Sequence, residues 1–264
     1  MKQSLIFIVF ILLVFGCKEK TSEAISIDTI FDDYYKLKDR INPIEATKGG
    51  NYEYNDIIAN YISDDYQEDL RKNYTHFLNL LSELDPKELS EADLLSMKVM
   101  KWDCEVKLEG LNNAIVTMAS PIYNLPSFEL MPLFQIQSLH LYVAQLAAGG
   151  SVQPFDTVED YDNWLKRVDD YLIFLDTSIS MMKEGMSKNI VLPKTLAQKI
   201  IPQLDEFITN PVDAHLFYKP ILSISESISE EEKNRIAADY SEMITSKLKP
   251  KYTELKAFLV NDYI

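Results

Sequence analysis

From about residue 26 onward the apolar residues recur at intervals of three and four, the spacing that lines one face of a helix rather than one face of a strand. The pattern predicts an all-α fold, a multi-helix array of long amphipathic helices, and the scarcity of glycine, seven residues in 264, agrees with it.

The first helix is expected from Ser26 or Asp28 to Arg40, with Ile27, Phe31, Tyr34 and Leu37 or Lys38 along one side and a stop before Asn42-Pro43. "INPIEATKGGNYEYND" then reads as a loop, from its proline and paired glycines. Asp64 or Asp65 is the expected cap of the next helix, in which Tyr66, Leu70, Tyr74, Phe77, Leu81 and Leu84 share a face and Asp85-Pro86 ends the run. Ser90 to Asp93 resembles a capping box, with aspartate in place of the usual glutamate or glutamine. The helix it opens carries two apolar stripes, Leu95, Val99, Trp102 and Val106 on one face and Met97, Met100, Cys104, Leu108 and Leu111 on the other. A helix apolar on two faces belongs between neighbours, so this one is expected at the centre, with Trp102 as a core anchor and Cys104 as a small core side chain.

"ASPIYNLPSFELMP", residues 119 to 132, holds three prolines and cannot be one regular helix. Its Ile122, Tyr123, Leu125, Phe128 and Leu130 nevertheless ask for burial, so the segment is expected to cross one face of the domain and shape a groove. A helix over 133 to 148 should end at Gly149-Gly150. After a cap at Thr157 to Asp160, Tyr161, Trp164, Val168, Tyr171, Leu175, Ile179, Met182 and Met186 step by three or four through the longest helix. Pro193 suits the first turn of another, with Leu196, Ile200, Leu204 and Ile208 inward, Pro202 bending it and Asn210-Pro211 closing it. A short segment around Leu216 to Ile224 follows. Ser229 to Glu232 forms a capping box for a last helix, kinked at Pro250, whose Tyr252, Leu255, Leu259 and Tyr263 hold register to the end.

The first 25 residues follow different rules. Lys2, an apolar run from Leu5 to Phe15 and then Gly16-Cys17 make a segment shorter than the ~20 apolar residues of a membrane span. It resembles a bacterial lipoprotein signal, in which the cysteine is lipidated and becomes the first residue after cleavage. Phe15 departs from the small or branched residue usual there, and an uncleaved anchor is the alternative. Residues 1–16 are then a signal peptide, 17–25 a polar tether and 26–264 a single helical domain. The implied location is the exported bacterial cell envelope, periplasmic or outer-membrane associated, with the membrane as partner through lipidated Cys17.

The formal charge of the chain is −15, and loss of Met1 to Gly16 removes one lysine and no acid, giving −16. Such a surface repels phosphate backbones and argues against nucleic acid as a partner. With Cys17 lipidated, Cys104 has no partner for an internal disulfide. His76, His140 and His215 are scattered, and no H-E-x-x-H, C-x-x-C, P-loop or G-x-S-x-G motif is present. Each histidine is read as structural or superficial; Asp213 with His215 supplies only two candidate ligands where zinc needs a third. The acidic runs Asp32-Asp33, Asp169-Asp170 and Glu230 to Glu232 read as solvated faces and a helix start. No catalytic, cofactor-binding or metal-ligating residue is assigned, and lipidation of Cys17 is the one site expected.

"FDTVEDYDNWLKRV" at 155 to 168 and "MKEGMSKNIVLPK" at 182 to 194, within 154 to 207, resemble the family known as domain of unknown function 885; "SPIYNLPSF" and "LKAFLVNDYI" sit where similar phrases occur. Members are mostly helical and about twice this length, and they resemble zinc metallopeptidases of the H-E-x-x-H type, with that helix in the C-terminal half. The resemblance implies zinc only for a region this sequence does not contain, so no metal or catalytic residue carries over. Two functions of different kinds follow. The first is the non-catalytic N-terminal half of a lipid-anchored, metallopeptidase-like protein, forming one wall of a cleft for a peptide substrate. The second is a stand-alone lipoprotein that binds a peptide, glycan or protein. An unrelated helical glycosidase or lipase-like enzyme is a weaker third. Oligomeric state is left open.

Overall fold

The computed structural model describes residues 26–112, 128–136 and 138–264. Among them there is no strand, and the α-helices are α1 (Ile27–Ile41), α2 (Pro43–Lys48), α3 (Asp64–Ser82), α4 (Glu91–Leu111), α5 (Leu139–Ala147), α6 (Val158–Lys188), α7 (Lys194–Thr209), α8 (Glu230–Glu242) and α9 (Lys249–Phe258). The all-α expectation holds.

Hydroxyl caps start five of these helices. Ser26, Ser63, Ser90, Thr157 and Ser229 each accept a bond from the backbone N–H three residues on, satisfying a donor that has no partner within the helix. At Thr157 the box is reciprocal, because Asp160 accepts from the Thr157 backbone N–H at 2.8 Å. The cap of α3 is Ser63 rather than Asp64 or Asp65, whose carboxylates instead occupy the first turn and favour the helix dipole. The expected loop over 41 to 56 contains α2, since Pro43 at its first turn gives up an N–H that would have no helical partner anyway. Helix α5 begins at Leu139 rather than Leu133; Leu133 is fully buried, but in irregular chain.

Two clusters of buried side chains organise the packing. The smaller joins Ile27, Ile30, Tyr34 and Leu37 of α1 to Leu70, Tyr74, Phe77 and Leu81 of α3 and to Met97, Met100, Cys104 and Leu111 of α4. The larger is built around α6, where Trp164, Val168, Tyr171, Phe174, Leu175 and Met182 have no exposed surface. The central helix is therefore α6, and the placement expected for α4 is corrected. Met97, Met100 and Cys104 of α4 are buried, but Leu95, Val99 and Trp102 stand 64%, 57% and 63% exposed, so Trp102 is no core anchor. In α7 the inward set is Ala197, Ile200, Leu204 and Phe207, with Leu196 turned outward.

Pro250 is absorbed rather than left to break the last helix. A π-helical stretch, Met243–Leu248, links α8 to α9, and a second, Leu259–Tyr263, extends it. Widening the helix just before a residue that lacks an N–H accommodates the lost bond. Along this rod Tyr240, Ile244, Leu248, Tyr252 and Leu255 are all fully buried.

Candidate functional site

Cys17 and most of the proline-rich segment 119–132 lie outside the described residues. Its described end crosses α6 at Gly185, where a Cβ atom would lie 2.9 Å from the Leu130 carbonyl oxygen and 2.5 Å from that of Ile190. The backbone can pass this close only because residue 185 has no side chain.

The buried histidines are tied into the scaffold. Gln203 is oriented by its Nε2, which donates to the Gln135 carbonyl at 3.0 Å. Its oxygen therefore faces His140 Nε2, at 3.0 Å, and receives that proton. His140 Nδ1, left as an acceptor, faces the Ser138 hydroxyl at 2.9 Å. Burial pushes the imidazole down to about 4, outweighing the opposing bond from Gln203, so the ring is neutral at ordinary pH. His215 Nε2 donates to the Phe207 carbonyl at 3.0 Å, and its Nδ1 accepts from the Phe217 N–H at 3.3 Å, starting a 3-10 turn. Neither histidine keeps a free nitrogen for a metal. His76 is exposed and lies 5.6 Å from the Phe77 ring, centre to centre. Among the described residues no three His, Cys, Asp or Glu side chains converge as a metal site would require.

The most concentrated polar chemistry is at Arg167, which pattern reading passed over because it flanks the apolar stripe of α6. It is fully buried. Its Nη2 donates to the Thr47 hydroxyl at 2.7 Å and to the carbonyls of Tyr54 and Pro43 at 3.0 and 3.3 Å; Nε donates to the Ile57 carbonyl at 3.2 Å. Nη1 donates to Gln153 Oε1. Burial lowers its pKa to about 10, which leaves it charged near neutrality. The guanidinium thus holds α2 and the following loop against α6, helped by the Ile58 N–H donating to Asp170 at 3.0 Å and Asn60 donating to Thr177 at 2.8 Å. Its five donors suit backbone carbonyls that would otherwise be buried without partners.

Gln153 leads from this network to the surface. Beside it opens a cleft of about 420 Å³, lined by Ala148 to Asp156, Tyr52, Tyr161, Lys219, Pro220 and Ser223. Gly149 and Gly150, at φ +74° and +68°, take the chain through the left-handed turn that forms one wall. Lys219 and Asp156 set opposite charges on the lining, while Tyr52 and Phe155 add aromatic faces. This arrangement can hold a polar ligand by hydrogen bonds and ring contacts; among its lining residues there is no serine–histidine or paired-acid constellation.

Residues 43–264 match the family described as "Bacterial protein of unknown function (DUF885)". The chain belongs to this family. No curated protein matches it. The DUF885 chain also resembles the crystal structure of "the putative lipoprotein from Colwellia psychrerythraea", with a TM-score of 0.71 at 15% identity over 89% of its own length. That likeness is one of fold. The DUF885 chain spans 41% of the neighbour's length. No helix among its described residues is long and apolar enough to cross a membrane.

Proposed function

We propose that this chain is a lipid-anchored helical domain of the bacterial cell envelope, equivalent to the non-catalytic N-terminal half of a longer metallopeptidase-like protein, in which it supplies one wall of a peptide-binding cleft. The observation that carries the proposal is the asymmetry of the structural match, 89% of this chain against 41% of the neighbour. The ring nitrogens of His140 and His215 are both engaged by protein groups, which supports a structural role for these two histidines. Lipidation at Cys17 is supported by the Gly16-Cys17 pair after the apolar run and by the description of the neighbour.

The deciding observation is the DNA after the Ile264 codon. A continuation, in frame or shifted, that encodes H-E-x-x-H supports the half-protein reading; a long non-coding gap refutes it. Residues 17–264 alone should retain less than about one tenth of an equivalent of zinc, well short of a catalytic site's single ion, and show no peptidase activity. Near-stoichiometric zinc lost on mutation of His140 or His215 would overturn the proposal. The cleft beside Gln153 favours the second reading, a stand-alone binder of peptide or glycan, which the same gap would support.

A further inference from the structure

The outer face of α4 is dressed for a partner. Leu95, Val99 and Trp102 lie within two turns on one helix face, each more than half exposed, and half-buried Val106 continues the row. Scattered exposed apolar residues are ordinary; a contiguous row that includes a tryptophan marks a contact surface.

Where the tether enters the domain points to the occupant. Arg40, near the end of α1, pairs with Asp69, near the start of α3, at 2.9 Å, and the Tyr66 hydroxyl donates to the Ile41 carbonyl at 2.8 Å. Further along both helices the Tyr34 and Phe77 rings meet with centroids 5.1 Å apart, so α1 and α3 run antiparallel and the start of α1 lies toward the end of α3. The short connection over 83–90 returns the start of α4 to that same end. Ser26, the first described residue after the tether, consequently shares an end of the three-helix unit with Leu95 and Val99. Nine residue steps separate Cys17 from Ser26, a reach of about 30 Å when extended. Neighbouring helix axes lie about 8–10 Å apart, so the outer face of α4 is within reach of any bilayer holding a lipid on Cys17.

Charge narrows the surface further. The exposed Glu91, Glu105 and Glu109 outnumber the exposed Lys98 and Lys101 beside the row, Lys101 being paired with Glu105, on a chain whose formal charge is −15. Attraction to anionic headgroups is therefore not the driving force. Burial of the apolar row is, with the tryptophan suited to the boundary between headgroups and acyl chains.

We propose that the Leu95, Val99 and Trp102 face of α4 seats in the headgroup–acyl boundary of the zwitterionic bilayer to which Cys17 is anchored, fixing the orientation of the domain on the membrane. This rests on the lipid-anchor reading. The test keeps the two apart by supplying the anchor chemically. A chain beginning at Cys17, which retains every described residue, is coupled through that thiol to a maleimide phospholipid in phosphatidylcholine vesicles; Cys104 is buried and protected. Half of the vesicles carry brominated acyl chains, which quench nearby tryptophan. The contribution of Trp102 is taken as the difference from Trp102→Phe, because Trp164 is buried.

The brominated vesicles should quench the Trp102 signal at least twofold. Leu95→Glu with Val99→Glu should remove the quenching without changing coupling or the thermal melt. Equal emission in brominated and plain vesicles overturns the proposal. So does protection of Trp102 that appears without vesicles and grows with protein concentration, which would mark a second copy on this face. Intact mass of the chain made in cells reports separately on acylation of Cys17, and its absence would sink the anchor reading alone.

Discussion

Acid should weaken this fold through His140 in a measurable step. The ordinary imidazole value is 6.5, and burial in the folded chain brings it to about 4. An unfolded chain therefore takes up a proton as pH falls through 6.5, whereas the folded chain resists until about 4. A depressed histidine pKa thus contributes full stability above 6.5, loses it between 6.5 and 4, and changes little below. At 1.36 kcal/mol per factor of ten, the gap corresponds to about 3 kcal/mol, taken as an upper figure because relaxation around a charged ring would reduce it. His140→Gln retains a donor for Gln203 Oε1 and cannot titrate. Urea unfolding of both chains, from about pH 7.5 down to pH 4, isolates the step, since carboxylates and His215 are common to both and cancel in the difference. The stability of the natural chain relative to the variant should be flat above about pH 7 and fall by up to ~3 kcal/mol by pH 4. Parallel curves would refute the account, showing that the ring reaches solvent or accepts a proton within its network.

Arg167→Met should cost at least about 3 kcal/mol, because it strips partners from the buried carbonyls of Pro43, Tyr54 and Ile57 together; chemical denaturation measures it. Protease cutting within 42–62 should rise in parallel, since that loop loses its tie to α6. Gly185→Ala should destabilise by about 1–3 kcal/mol despite alanine's better helix propensity, as its Cβ would press on two backbone oxygens; an unchanged thermal midpoint would show that Leu130 does not cross there. Trp164→Ala should lose about 3–5 kcal/mol and Trp102→Ala less than about 0.5, and comparable losses would contradict the exposure of α4.

Much of the fold was legible along the chain because helices are local objects. The Thr157–Asp160 box and the stripe from Tyr161 to Met182 were read from spacing and stand as observed in α6. The turn at Gly149-Gly150 was likewise readable, since few other residues tolerate a positive φ. The candidate site was much less legible. Arg167 finds its acceptors 110 to 124 residues away at Ile57 and Pro43, and nothing in the sequence pairs them. The same limit explains α4. Its two apolar stripes were correctly seen, but whether a stripe meets protein depends on the number of helices that arrive beside it; only the side bearing Met97, Met100 and Cys104 is covered by α1 and α3. Likewise, Leu196 was expected on the inward face of α7, and packing turned it outward and buried Ala197 instead. Sequence by itself determined periodicity, class and the starts of α4, α6 and α8, because caps and side-chain direction act over three or four residues. Tertiary structure decided which apolar face is buried, and which of two buried histidines or one arginine carries a network, because burial and hydrogen-bond satisfaction need partners that only the folded chain brings together.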